Sequence, residues 1–135
     1  MKNIAFLFTY FLSSFMNAQG VEKNEIILKG IEANNYIFGA EIVRLYPYTQ
    51  IPAFVKFRGN SGISEDQAEQ WLRKFAKFEE NDGLLLIRKE TDDLGYTHYR
   101  YTQIYKGYEI FGTTYILHFK NGFLVSLNGL LYDRV

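Results

Sequence analysis

The segment GYTHYRYTQIYKGYEIFGTTYILHFKNGFLVSLNG, Gly95 to Gly129, decides the fold. It is dense in β-forming aromatics, and glycines interrupt it at regular intervals. In Thr97 to Tyr105 the period of two puts Tyr99, Tyr101, Gln103 and Tyr105 on one face and His98, Arg100, Thr102 and Ile104 on the other. Lys106-Gly107 allows a tight reversal into Tyr108 to Phe111, and Gly112 marks a bend before Thr113 to Phe119. Asn121-Gly122 then separates two apolar runs and takes the positive φ values that a two-residue hairpin requires. Phe123 to Leu127 returns, and Asn128-Gly129 is read as a further turn. The segment is an antiparallel meander.

Working outward towards the N-terminus, Leu84 to Arg88 is a continuous apolar run suited to a central strand, and Thr91-Asp92-Asp93-Leu94-Gly95 is a turn. Before it stands the clearest helix. Ser64-Glu65-Asp66-Gln67 has the pattern of a capping box, and Ala68, Trp71, Leu72, Phe75 and Phe78 recur at helical spacing. An isolated helix of about 15 residues is marginal in water, so this one must lay Trp71 and Phe75 on a sheet. Ala53 to Phe57, preceded by Pro47 and Pro52, reads as an edge strand. Val21 to Gly39 keeps no clean period, Glu41 to Leu45 is a short β-prone run, and residues 21–52 together are expected to be an extended N-terminal lead-in. The fold class expected is α+β, with one amphipathic helix packed on an antiparallel β-meander of four or five strands.

The chain has 135 residues, 47% of them hydrophobic, which is material for one core. Fifteen basic residues balance fifteen acidic ones, without a like-charged block, so the footprint of a nucleic-acid binder is missing. The absence of cysteine excludes disulfides, a thiolate zinc site and a cysteine nucleophile. Residues 1–20 have the positive start, apolar centre and small-residue end of a Sec-type signal peptide. Its apolar stretch of about 13 residues would span only ~20 Å of a ~30 Å hydrocarbon core, which argues against a stable membrane anchor. Secretion or export to the periplasm follows.

No H-E-x-x-H helix, nucleophile elbow or phosphate-binding glycine loop occurs, so no catalytic residue, cofactor site or metal site is assigned. His98 and His118 could approach each other across a sheet, but two imidazoles without a third ligand make a poor metal site. Asp92 and Asp93 read as a solvated turn. Arg100 sits amid aromatics on a strand and is read as a buried or half-buried ion pair or a planar contact with a partner. Tyr99, Tyr101, Tyr105, Tyr108 and Tyr115 would either fill the core and rim of the sheet or form an aromatic docking face. The candidate interface is Tyr99, Arg100, Tyr101, Gln103 and Tyr105. The candidate structural turns are Gly95, Gly107, Gly112, Asn121, Gly122 and Gly129.

Residues 53–130 resemble the fungalysin/thermolysin propeptide (FTP) domain of secreted zinc metallopeptidase precursors. The likeness rests on Asp93-Leu94-Gly95, His98, Arg100, Tyr101, Gln103, Tyr105, Gly107, Ile110, Gly112, His118, Gly122 and Gly129, behind a capped amphipathic helix. Thr102 stands where a second glutamine is frequent, and Glu109 where proline is frequent. The resemblance implies a propeptide that assists folding of a protease and delays its activity. The partners implied are a protease catalytic domain and a PepSY-type domain, in cis or in trans. Zinc would belong to that catalytic domain and not to this segment. A stand-alone inhibitor or binding module of the same fold is the alternative. Residues 131–135 read as the start of an unfinished continuation.

Overall fold

The computed structural model describes residues 25–47 and 49–133. The expected signal peptide at 1–20 and the last two residues of the chain lie outside the described residues. Strands β1 (Ile26–Lys29), β2 (Ala40–Leu45), β3 (Phe54–Phe57), β4 (Asp82–Thr91), β5 (Tyr96–Tyr105), β6 (Tyr108–Glu109), β7 (Thr114–Lys120) and β8 (Phe123–Leu130) form one antiparallel sheet. Its order is β1-β2-β3-β8-β7-β5-β4, with β6 paired to β5. Helix α1 (Ile31–Tyr36) joins β1 to β2, and α2 (Glu65–Phe75) joins β3 to β4.

The expected fold class is thereby corrected. The protein is mostly β, an eight-stranded sheet with two short helices, rather than one helix on a meander of four or five strands. Two of the additional strands come from the segment read as a lead-in. β2 contains the β-prone run Glu41 to Leu45, and the periodicity of β1 is faint because it is an edge strand whose Ile26 and Ile27 are exposed, so both faces of it carry apolar residues. Two strand positions are also exchanged. Ala53 to Phe57 was expected at an edge, yet β3 lies between β2 and β8. Pro47 and Pro52 both precede the strand and remove no ladder hydrogen bond from it. The apolar run expected at the centre is the edge strand β4, where Leu85, Leu86 and Ile87 are exposed.

Helix α2 begins after Ser64, whose backbone N–H donates weakly, at 3.5 Å, to Gln67 Oε1. It ends earlier than Phe78 because Lys77 takes a left-handed conformation, φ 55°, and Phe78 N–H turns back to Arg73 O at 2.9 Å. Ala68 and Leu72 are buried against the sheet. Trp71 stacks on Phe75 at 5.3 Å between ring centres and meets Phe57 edge-on at 6.2 Å. The covered face of the sheet follows from register: Tyr99, Leu117, Leu127, Val55 and Val43 lie side by side from β5 to β2. All but Tyr99 are completely buried.

Five of the expected turn positions have positive φ in turns: Gly95, Gly107, Gly112, Asn121 and Gly122. Gly129 is different, because it lies inside β8 and makes no turn. It faces Tyr115 on β7, donates to Ala53 O at 3.0 Å and has φ 140°. A Cβ there would stand 2.0 Å from Thr114 O and 2.8 Å from Tyr115 Cα. Glycine is required because the β7 backbone at Thr114 and Tyr115 closes on it. Gly129→Ala is therefore expected to cost about 3 kcal/mol, combining overpacking with backbone strain. Urea denaturation checks this, and an unchanged midpoint would refute the close approach.

Candidate functional site

Strand β5 carries every residue expected at the interface, and its alternation divides them. Tyr99, Tyr101 and Gln103 point to the face covered by α2, and Arg100 points to the open face. Tyr101 and Gln103 are each only 4% exposed. Burial pushes the Tyr101 hydroxyl up to about 12, with Glu69 adding to the effect. Tyr99 meets Phe119 edge-on at 5.1 Å and donates through its hydroxyl to Glu65 Oε1 at 3.0 Å, tying α2 to the sheet. The tyrosine-rich face is thus core, and Tyr99, Tyr101 and Gln103 do not form an exposed docking face with Arg100 and Tyr105. Arg100 is exposed opposite Arg88 and, among the described residues, forms no ion pair.

Gln103 has a definite task. Its side-chain amide donates to Tyr132 O at 3.0 Å and accepts from Tyr132 N–H at 2.8 Å, as a strand neighbour would. The chain leaving β8 is thereby clamped, with Leu131 buried beneath it. Asp133 completes the clamp by accepting from Gln50 N–H at 2.8 Å, and the Tyr36 hydroxyl donates to Gln50 O. Burial, reinforced by Asp133, raises the Tyr36 hydroxyl above its ordinary value, so it stays a donor. Tyr115 is completely buried and donates to Pro52 O at 2.6 Å; burial raises its hydroxyl strongly.

The open face holds a second polar cluster. Asp92 accepts from Leu94 N–H and Tyr96 N–H through Oδ1, which caps the β4–β5 turn, and its Oδ2 lies 2.7 Å from His98 Nε2. His98 Nδ1 lies 2.6 Å from His118 Nδ1, and His118 Nε2 lies 2.5 Å from Asn128 Oδ1. The hydrogen bond from His98 holds the Asp92 carboxyl below its ordinary range, and burial lowers His118. Among the described residues no group of three or more histidine, aspartate or glutamate side chains is arranged to hold a metal ion.

Sequence alternation already put Gln103 on the same face as Tyr101, which was the available signal for its burial. The sequence carried no comparable signal for the exposed aromatics at the β5–β6 end of the sheet. There Tyr105 is 37% exposed, Tyr108 80% and Phe111 99%, with Lys106 Nζ 5.4 Å above the Tyr105 ring.

The meander β4 to β8 is the part that the family comparison matches. Residues 82–131 match the Fungalysin/Thermolysin Propeptide Motif. This segment is an FTP motif. The chain is 34% identical over 93 residues to thermolysin of Alicyclobacillus acidocaldarius, covering 62% of this chain and 17% of that protein. The same figures hold for thermolysin of Bacillus caldolyticus. It is 44% identical over 54 residues to the thermostable neutral protease NprT of Geobacillus stearothermophilus, covering 40% of this chain and 10% of the relative. The chain therefore spans about a sixth of the length of the thermolysins it matches. No solved structure matches it. No helix among the described residues is long and apolar enough to cross a membrane.

The clamp gives a test within the FTP motif. Gln103→Leu preserves volume but leaves Tyr132 N–H and C=O without their partner. The expected cost is about 1 to 3 kcal/mol, with faster amide exchange at Tyr132. Unchanged exchange at Tyr132 would show that Gln103 does not hold the exit.

Proposed function

We propose that this chain is the propeptide module of a secreted thermolysin-like zinc metallopeptidase precursor. It acts as an intramolecular chaperone and inhibitor of a catalytic domain in the same precursor. The observation that carries this reading is the FTP motif over residues 82–131, supported by the thermolysin relatives. Export by the Sec-type signal at residues 1–20 belongs to the same reading, as does a PepSY-type domain as a further partner. The chain contributes no catalytic group, and zinc belongs to the catalytic domain.

Burial of Tyr101 and Gln103 moves the proposed contact away from the covered face. The exposed members of the expected interface, Arg100 and Tyr105, remain available to a partner. Tyr108 and Phe111 extend Tyr105 into an aromatic tip that the domain's own core does not use. Tyrosine and phenylalanine in such positions supply contact area at low entropic cost.

Two measurements test the proposal. Refolding of a thermolysin-like catalytic domain should yield more active enzyme with the full chain present, and the chain should inhibit the folded domain in trans. Replacing both Tyr108 and Phe111 with alanine should weaken that inhibition by roughly tenfold or more, since each buried aromatic anchor is worth on the order of 1 to 2 kcal/mol. The urea midpoint should not move, because neither side chain is packed. Failure to inhibit or to assist refolding would count against the propeptide reading. Inhibition insensitive to the double variant would reject only the proposed tip.

A further inference from the structure

On the open face Glu90, His98, His118, Ser126 and Lys56 lie in one row from β4 to β3. Its centre is the chain of contacts Asp92, His98, His118, Asn128, and each of its three contacts must hold one hydrogen. A carboxylate only accepts, so His98 Nε2 must carry hydrogen towards Asp92. With the Asn128 amide oxygen facing the ring, His118 Nε2 must carry one as well. Two neutral rings would then present bare lone pairs at both Nδ1 atoms, 2.6 Å apart. A proton between them removes that repulsion, so in this arrangement the pair is a monocation. A half-turn of the Asn128 amide supplies the third hydrogen from its NH2 group, and the pair is then neutral with every contact still made. A second added proton sets two N–H groups head to head, which this separation does not accommodate.

We propose that Asp92, His98, His118 and Asn128 form a one-proton latch across β5, β7 and β8. It is closed with no added proton or with one, and a second forces it open, so acid parts β5 from β7 beside the β4–β5 turn. The charges around it leave Asp92 as the anion that the pair meets. Glu90, opposite His98, is neutralised by Arg88 at 2.6 Å, and Lys56, opposite Ser126, is paired with Glu41 of β2 at 3.4 Å. Tyr96 stacks on His98 at 6.3 Å, and Lys120 of β7 caps the Tyr96 ring while donating to Leu94 O. Arg100 lies one row further along the same face and Asp93 in the turn, and both are exposed. These groups do not supply a carboxylate that would welcome a second proton on the pair.

The direction of the His118 shift agrees. Burial, with the neighbouring His98 contributing, places it below the ordinary value of 6.5 despite the Asn128 bond and Asp92. The folded chain therefore binds fewer protons than the unfolded chain just below that value, and stability falls as pH drops through the histidine range. Asp92, held below 3.8, supplies stability above that value and loses it only at still lower pH. The two losses occupy different windows.

The test uses the full chain with nitrogen-labelled histidines, followed by NMR from about pH 8 to about pH 4, the range in which imidazoles titrate. Urea midpoints are measured in parallel. The ring nitrogens of both histidines should change together in a first step that keeps amide protection at residues 97–99 and 117–119, while the midpoint begins to fall because the unfolded chain takes up two protons where the folded pair takes one. A second step should coincide with loss of that protection. His118→Gln removes the opposing ring and should at least halve the fall in midpoint between about pH 6.5 and pH 4.5. Independent titration of the two rings would overturn the latch, as would a variant profile identical to the wild type. Displacement of the shared proton by stoichiometric zinc at neutral pH would overturn it in favour of a metal site. If His118→Gln does not fold, the ring titration of the wild type decides alone.

Discussion

The antiparallel pairing of β3 with β8 is the constraint on which the rest of the structure depends. Phe54, Val55 and Lys56 meet Asn128, Leu127 and Ser126, and this short ladder joins a three-stranded N-terminal portion to the C-terminal meander. Without it, the buried row through Val55, Leu127 and Leu117 would end at a solvent-exposed edge. Two features enforce the joint. Gly129, which β7 approaches closely, donates from β8 to Ala53 O, and Tyr115 reaches across to Pro52. Helix α2, which follows β3 in sequence, is carried by this pairing onto the face it covers.

Strand β5 shows how one alternating sequence serves two different environments. Its odd-numbered residues from Tyr99 to Gln103 are absorbed by packing, and Gln103 survives burial because its amide donates to Tyr132 O and accepts from Tyr132 N–H as a ladder partner would. Its even-numbered residues remain on a polar face, where His98 is hydrogen-bonded to Asp92 and His118. The two faces are coupled through the backbone. A disturbance of the His98–His118 contact on the open side is felt by Tyr99 and Leu117, which are the adjacent partners in register on the core side.

What the sequence made legible was whatever depends on neighbours a few residues apart. The Asn121-Gly122 hairpin, the Ser64 start of α2, the turn at Asp92 and the period of two in β5 all express local geometry, and all appear where expected. Strand positions within the sheet depend instead on distant partners. Leu84 to Arg88 looks central by composition, and nothing local reveals that only β5 pairs with it. The β1 segment is obscured because exposed isoleucines at an edge erase alternation, whereas the β-prone run Glu41 to Leu45 falls within β2. Gly129 was misread for a related reason: its positive φ is local, but the need for it comes from Thr114 and Tyr115 on the next strand. At the candidate site, aromatic composition was visible while the covered face was not, since that choice is made by where α2 lands.

The division between local and distant pairing also orders the assembly of the domain. β4, β5, β7 and β8 are joined by short turns, so their ladders close at small entropic cost, which grows with the logarithm of loop length. The contact between Tyr115 and Pro52 spans 63 residues and gains nothing until the meander exists to receive β3. The segment matched by the FTP motif, residues 82–131, coincides with this self-pairing half and stops at Leu131, immediately before the residue that Gln103 clamps. A motif confined to the meander is therefore intelligible on physical grounds. The meander can specify its own register and offer the β8 edge as a template, and the N-terminal strands need only supply β-forming residues that dock on it.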